Sequence, residues 1–239
     1  MSKLILLFSI FISFHSFGQV NFCTNELETF PTRSGGRIKP FYVLATDTIK
    51  FISGESKVGE LSATEAFCKL SLKAFGMPTE IPVQVRVDHV DAKKLLGMNI
   101  DDHSMPIATA LTKIGDIETE IAQLKENNSY KKELTKVKQR IEAYRAIVDA
   151  RLWTIPVVSG ENVEFVSLGQ FLTEQKVTEA REKSDNPVNY LFENAKAEYL
   201  KVAGDDYLLE LKYFKWNLYM WAMIGAILGI FLIVSLKNK

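Results

Sequence analysis

The chain is 239 residues long, with 29 basic and 29 acidic residues, and it is 47% hydrophobic and 24% charged. Such a balance excludes a disordered charged tail and a polytopic transporter. With no net positive field there is no bulk attraction to a phosphate backbone, so charge gives no argument for nucleic acid as a partner.

Met1-Ser2-Lys3 precedes an uncharged, mostly apolar run from Leu4 to Phe14, followed by Ser16-Phe17-Gly18. A basic start, a short apolar core and small residues before a cut are the marks of a secretory signal peptide, assigned to residues 1–18 with Gln19 as the mature N-terminus. Cys23 and Cys68 then lie in exported chain, where an oxidising compartment permits one disulfide but spacing does not decide it. There is no Cys-x-x-Cys pair and no Cys-x-x-Cys-His, so neither a thioredoxin-like redox role nor covalent haem on this chain has a motif.

Residues 22–40 read as an extended lead ending in a turn at Ser34-Gly35-Gly36, where a glycine pair admits positive φ. Ile38 to Ile52 is rich in β-branched and aromatic residues and reads as a strand, although Ala45, Thr46 and Asp47 also suit a short helix. Ser62-Ala63-Thr64-Glu65 is a capping box and Gly76 with Pro78 a stop, which predicts a helix from Ala63 to about Phe75. Ile81 to Val90 alternates apolar and polar residues as a half-buried strand does, and Ala92 to Leu96 is a helical turn stopped by Gly97.

Ile107, Leu111, Ile114, Ile117, Ile121 and Leu124 recur at spacings of three and four, and the period resumes at Leu134, Val137, Ile141, Tyr144, Val148 and Leu152. A break at Asn127-Asn128-Ser129 makes this an antiparallel helical hairpin over about residues 106–152. Lys131, Lys132, Glu133, Lys136, Lys138 and Arg140 are expected on its solvated face. Trp153 to Pro156 ends the hairpin and Val163 to Val166 reads as a short strand. Ser167-Leu168-Gly169-Gln170 is a second capping box, opening a helix to about Lys183. Asn186-Pro187 starts a helix that Gly204 stops, and Leu209, Leu211 and Tyr213 alternate as a strand would.

Trp216 to Leu236 is uncharged, and at about 1.5 Å per residue it would span roughly 31 Å, the depth of a hydrocarbon core. Trp216, Tyr219 and Trp221 resemble an interfacial belt, and Lys237 and Lys239 favour the cytoplasmic side. Ala222, Gly225, Ala226 and Gly229 place small residues on one face, including a Gly-x-x-x-Gly suited to close helix packing. The expected fold class is therefore α+β: a helix-dominated exported ectodomain over residues 19–213, then a C-terminal transmembrane helix and short tail over 214–239. The expected location is the inner membrane of a bacterial-type cell, single-pass, with the C-terminus cytoplasmic.

No phosphate-cradling glycine loop, nucleophile elbow or dinucleotide fingerprint is present, so the chain reads as non-catalytic. His89 and His103 sit near acids, but no spacing supplies the three or four converging ligands a metal needs. The segment Gly36-Arg37-Ile38-Lys39-Pro40 stands apart. Arg37 and Lys39 are two apart, so in an extended strand they share a face and could grip an acidic partner, while Pro40 stiffens the exit.

Together with Leu44-Ala45-Thr46, Pro82 to Val87, Lys93 to Gly97 and the Glu210-Leu211-Lys212-Tyr213 approach, that segment resembles the exported N-terminal region of system II cytochrome c maturation proteins. The resemblance implies partner-binding roles for Gly36, Arg37, Lys39 and Pro40, with the haem-handling multi-helix module on another polypeptide. It implies an accessory subunit of a haem-attachment complex that presents an outer domain to a polytopic haem-handling membrane protein or to apocytochrome c. Haem would be met through that partner, with no cofactor on this chain. The alternative is a membrane-anchored scaffold that binds an unrelated exported partner through its helical hairpin.

Overall fold

A computed structural model describes residues 22–76, 80–126 and 128–209, and beyond them 211–213, 216, 220, 223–224 and 226–227. A 3-10 turn at Asn25–Thr29 leads into β1 (Pro31–Ser34) and β2 (Arg37–Pro40), an antiparallel hairpin in register Ser34↔Arg37. Only Gly35 and Gly36 lie between them, with φ of 58° and 78°, the two positive φ values that a type I′ turn requires. A Cβ at either glycine would meet nothing within 4 Å, so backbone conformation and not space calls for glycine.

Pro40 caps α1 (Phe41–Ser53). The strand expected over Ile38 to Ile52 is thus corrected to three residues of β2 followed by a helix. Phe41, Leu44, Ala45, Ile49 and Ile52 are all buried, a helical stripe that outweighs β propensity. A short hairpin of β3 (Lys57–Val58) and β4 (Leu61–Ser62) precedes α2 (Ala63–Leu72). Both halves of the Ser62/Glu65 capping box are made, and α2 continues as a 3-10 turn to Phe75 before Gly76. Cys68 of α2 is bonded to Cys23, which ties the lead to the core.

Val83, Val85 and Val87 are buried as the alternation predicts, but the strand itself is the three-residue β5 (Gln84–Arg86), which pairs with β6 (Ser104–Pro106) across α3 (Val90–Leu96). The hairpin arm before the Asn break is two helices, α4 (Ile107–Thr112) and α5 (Ile114–Gln123), kinked at Lys113, and the return arm is α6 (Ser129–Val148). The Lys138–Glu118 ion pair at 2.9 Å and the bond from Lys131 Nζ to Leu124 O set α5 and α6 antiparallel. The apolar stripe is spent inside the chain: Ile117, Leu134, Val137 and Ile141 are fully buried.

β7 (Thr154–Ser159) and β8 (Asn162–Ser167) form the longest sheet. The first of these strands was not expected, since Pro156 argues against a strand; it sits in a two-stranded ribbon, where an edge position is always available. The second capping box is made, but the single helix it was expected to open is two, α7 (Leu168–Phe171) and α8 (Glu174–Arg181), because Thr173 caps a fresh start. The Asn186-Pro187 signal opens α9 (Pro187–Ala203), which ends at Gly204. Leu209, Leu211 and Tyr213 are helical, so the expected strand there is corrected.

The expected fold class and location are corrected in one further respect. Among the described residues no helix is long and apolar enough to cross a membrane, which overturns the single-pass inner-membrane reading. The longest described helices, α6 and α9, each carry several charged residues along their length. Of the small-residue face, Ala222, Gly225 and Gly229 lie outside the described residues, and Ala226 is helical and exposed. Most of Trp216 to Leu236 and the whole of residues 1–18 also lie outside them. The architecture is helix-rich, mixed α and β, with small antiparallel two-stranded sheets.

Candidate functional site

The hairpin that carries the Gly36 to Pro40 segment is rooted in the most aromatic part of the core. Phe30 enters it and Phe41 leaves it, and both rings meet Trp153: Phe41 stacked at 4.1 Å between centroids, Phe30 edge-on at 6.3 Å. The Phe41 N–H donates to Phe30 O at 2.8 Å, closing the base of the ladder. In such a ladder bonded and open pairs alternate away from the turn, so Ser34/Arg37 and Thr32/Lys39 bond across the hairpin while Arg33/Ile38 turn their backbone groups outward. On the β1 side Thr154 takes both of them: the Arg33 N–H donates to Thr154 Oγ1 at 2.8 Å, and that hydroxyl donates to Arg33 O at 3.1 Å. Thr32, fully buried, lies 3.2 Å from the same hydroxyl.

The four residues singled out on the hairpin do different things. Gly36 shapes the tip and Pro40 is buried at the helix entry. Arg37 is exposed at the tip and has no ion-pair partner among the described residues. Lys39 shares its face, as two-residue spacing requires, but its side chain is only 14% exposed and approaches Asp47 of α1 at 3.9 Å. The hairpin therefore presents one outward arginine on that face, and the second cation is drawn back toward the helix.

A second polar centre was not anticipated. Glu133 and Arg140, expected in solvent, are each 6% exposed. Arg140 Nη1 donates to Glu133 Oε1 at 3.0 Å and to Arg86 O at 2.7 Å, and its Nε donates to Phe51 O at 3.1 Å. Glu133 Oε1 also accepts from the Asp88 N–H at 3.0 Å, and the Asp88 carboxylate takes Arg86 Nε at 2.7 Å. That carboxylate raises the Arg86 guanidinium further, first through the hydrogen bond and then through its charge. The available signal was spacing: seven residues is two helical turns, so Glu133 and Arg140 share a side of α6. Above this network lies a shallow polar cleft of about 230 Å³ lined in part by Ser53, Glu55, Arg86, Asp88 and His103.

His89 and His103 have separate settings. His89 caps α3, its Nδ1 accepting from the Asp91 N–H at 3.2 Å, with Nε2 3.2 Å from Ser129 Oγ. His103 is exposed at the cleft, and its carbonyl accepts from Val87 N–H. Among the described residues no group of three or more His, Cys, Asp or Glu side chains is placed to hold a metal ion.

A latch joins the end of the fold to its beginning. Tyr207 donates its hydroxyl to Thr29 O at 2.6 Å and Lys196 Nζ donates to Thr29 Oγ1 at 2.8 Å. Burial, with smaller effects from Tyr199 and Asp205, holds the Tyr207 phenol well above its ordinary value. The chain matches no family model and no curated protein.

Proposed function

We propose that this chain is a non-catalytic accessory subunit of a cytochrome c maturation complex, docking through its β1–β2 hairpin on a haem-handling partner or on apocytochrome c. The observation that supports the reading is the placing of the Gly36 to Pro40 segment. Its strand returns into the Phe30–Phe41–Trp153 cluster, so the tip is held by the core and Arg37 is projected from a fixed base. A rigid base lowers the ordering cost of a contact, which is what a docking element needs and a merely connecting turn does not. The Cys23–Cys68 bond accords with work in an oxidising compartment, where apocytochromes receive haem.

Deleting the gene should leave apocytochromes c exported but without covalent haem, read by haem staining of c-type cytochromes; normal staining sinks the maturation role. Arg37→Ala should lower holocytochrome yield while the protein accumulates at its normal level. Loss of accumulation instead would make Arg37 a structural residue of the turn.

A further inference from the structure

We infer that the tip of the β1–β2 hairpin is a wedge that enters a groove on a partner protein with carboxylates on both walls, Arg33 meeting one wall and Arg37 the other. This rests on reading the hairpin as the docking element, and it adds a second contact and the shape of what is contacted. In the register Ser34↔Arg37 and Arg33↔Ile38, paired residues share a face and successive residues alternate. Arg33 and Arg37 therefore leave the hairpin on opposite faces. Both are exposed, and neither guanidinium has a hydrogen-bond or ion-pair partner among the described residues. Lys39 lies against Asp47 and takes no part.

Two features set this pair apart from ordinary solvated arginines. The Arg33 backbone is clamped from 121 residues away, its N–H and its C=O both bonded to Thr154 Oγ1 at 2.8 and 3.1 Å, so the side chain starts from a fixed point. Between the two arginines the tip is bare. Gly35 and Gly36 carry no side chain, and a Cβ at either would meet nothing within 4 Å. A slim tip with a cation on each face suits a space between two walls, each about 10 Å from the hairpin plane, the distance at which facing side chains meet. A flat anionic surface laid against either face meets one guanidinium and leaves the other in water. Each guanidinium fork donates two parallel hydrogen bonds to a carboxylate, so Asp or Glu on the walls is the matching group.

The experiment titrates the full-length protein into fluorescein-labelled octaglutamate by fluorescence anisotropy, with octalysine as the control. Eight extended residues span about 28 Å, enough to pass around the tip and reach both faces. Octaglutamate should bind, less tightly as salt is raised, and octalysine should not. Arg33→Gln and Arg37→Gln should each weaken binding about fivefold, the scale of an exposed ion pair. The two together should weaken it about 25-fold, since contacts on opposite faces act independently. Circular dichroism of all three variants should match the parent, which keeps loss of binding separate from loss of fold. Equal binding of the two peptides, or no loss on Arg33→Gln, overturns the proposal. So does a double variant no weaker than a single one, because only one arginine then engages at a time. Vesicles of phosphatidylglycerol and phosphatidylcholine are titrated in parallel, and their binding should not change on Arg33→Gln. If it falls with each arginine as octaglutamate binding should, the tip belongs to a lipid surface and the proposal fails. Octaglutamate binding involves no cytochrome, so failure of the maturation role in haem staining leaves this titration intact and the reverse also holds.

Discussion

The aromatic pocket around Trp153 and the ionic seam around Arg140 are both buried, and they hold the chain by opposite means. In the first, Phe22, Phe30, Phe41, Phe171 and Phe192 surround or border a fully buried indole, and three helices, α1, α7 and α9, contribute rings beside those of the connecting segments. Its stability comes from apolar area removed from water, offset in part by the Trp153 Nε1–H, which has no hydrogen-bond partner among the described residues. In the second, two charges are taken out of water, and their attraction must first repay that desolvation. A buried pair of this kind adds little net stability, yet losing Arg140 leaves the buried Glu133 carboxylate without its cation. The pocket is strong because it is filled, and the seam is selective because it must be complete.

Three perturbations separate these modes, from the largest effect to the smallest. Trp153→Ala should lower unfolding stability by about 4 kcal/mol, through lost transfer energy plus the cavity left behind. The urea midpoint should fall with an unchanged slope, and a loss below about 2 kcal/mol would mean the surrounding rings collapse into the space. Arg140→Met alone should cost about 3 kcal/mol, whereas Arg140→Met with Glu133→Leu should recover at least about half of that, since both charges are gone. No second substitution should rescue Trp153→Ala in the same way. A double variant as unstable as the single one would show that Arg140 acts through the Phe51 and Arg86 carbonyls and not through Glu133.

The smallest effect is alkaline. The Tyr207 phenol is raised in the folded chain by burial first, so its stabilising contribution is full below the ordinary phenol value near pH 10 and is lost as pH climbs toward the folded value. Tyr199 and Tyr144 are raised in the same direction, again by burial first. Stability should be level from pH 7 to about 10 and decline above it. Tyr207→Phe should cost about 1 kcal/mol at neutral pH by removing the bond to Thr29 O, and should flatten that decline. An identical alkaline limb in the variant would assign the decline to the other tyrosines.

The same contrast explains what could be read from the sequence. Caps and stops are local chemistry, so Ser62 with Glu65, Ser167 with Gln170, Asn186-Pro187, Gly76 and Gly97 locate helix ends directly. The turn at Gly35-Gly36 is local too, as is the burial of Val83, Val85 and Val87. Glu133 and Arg140 are not, because their burial depends on Phe51, Arg86 and Asp88 arriving from distant sequence. The helix at Phe41 to Ser53 was hidden for a related reason. Its Val, Ile and Phe residues suit a strand in isolation, and what makes them helical is a stripe aimed at Phe67 and Trp153. Of the hairpin, the turn at Gly35-Gly36 was legible, whereas the part played by Thr154, 121 residues away, was not.

The Cys23–Cys68 bond spans 45 positions of sequence and encloses the whole hairpin. A chain pulled from its two ends would carry tension through that bond and skip everything between, leaving about 160 Å of contour length unextended at roughly 3.6 Å per residue. Strands β1 and β2 are therefore shielded from tension. Load arriving from either side passes around β1 and β2, so a partner seated on them would feel no pull until the disulfide was reduced.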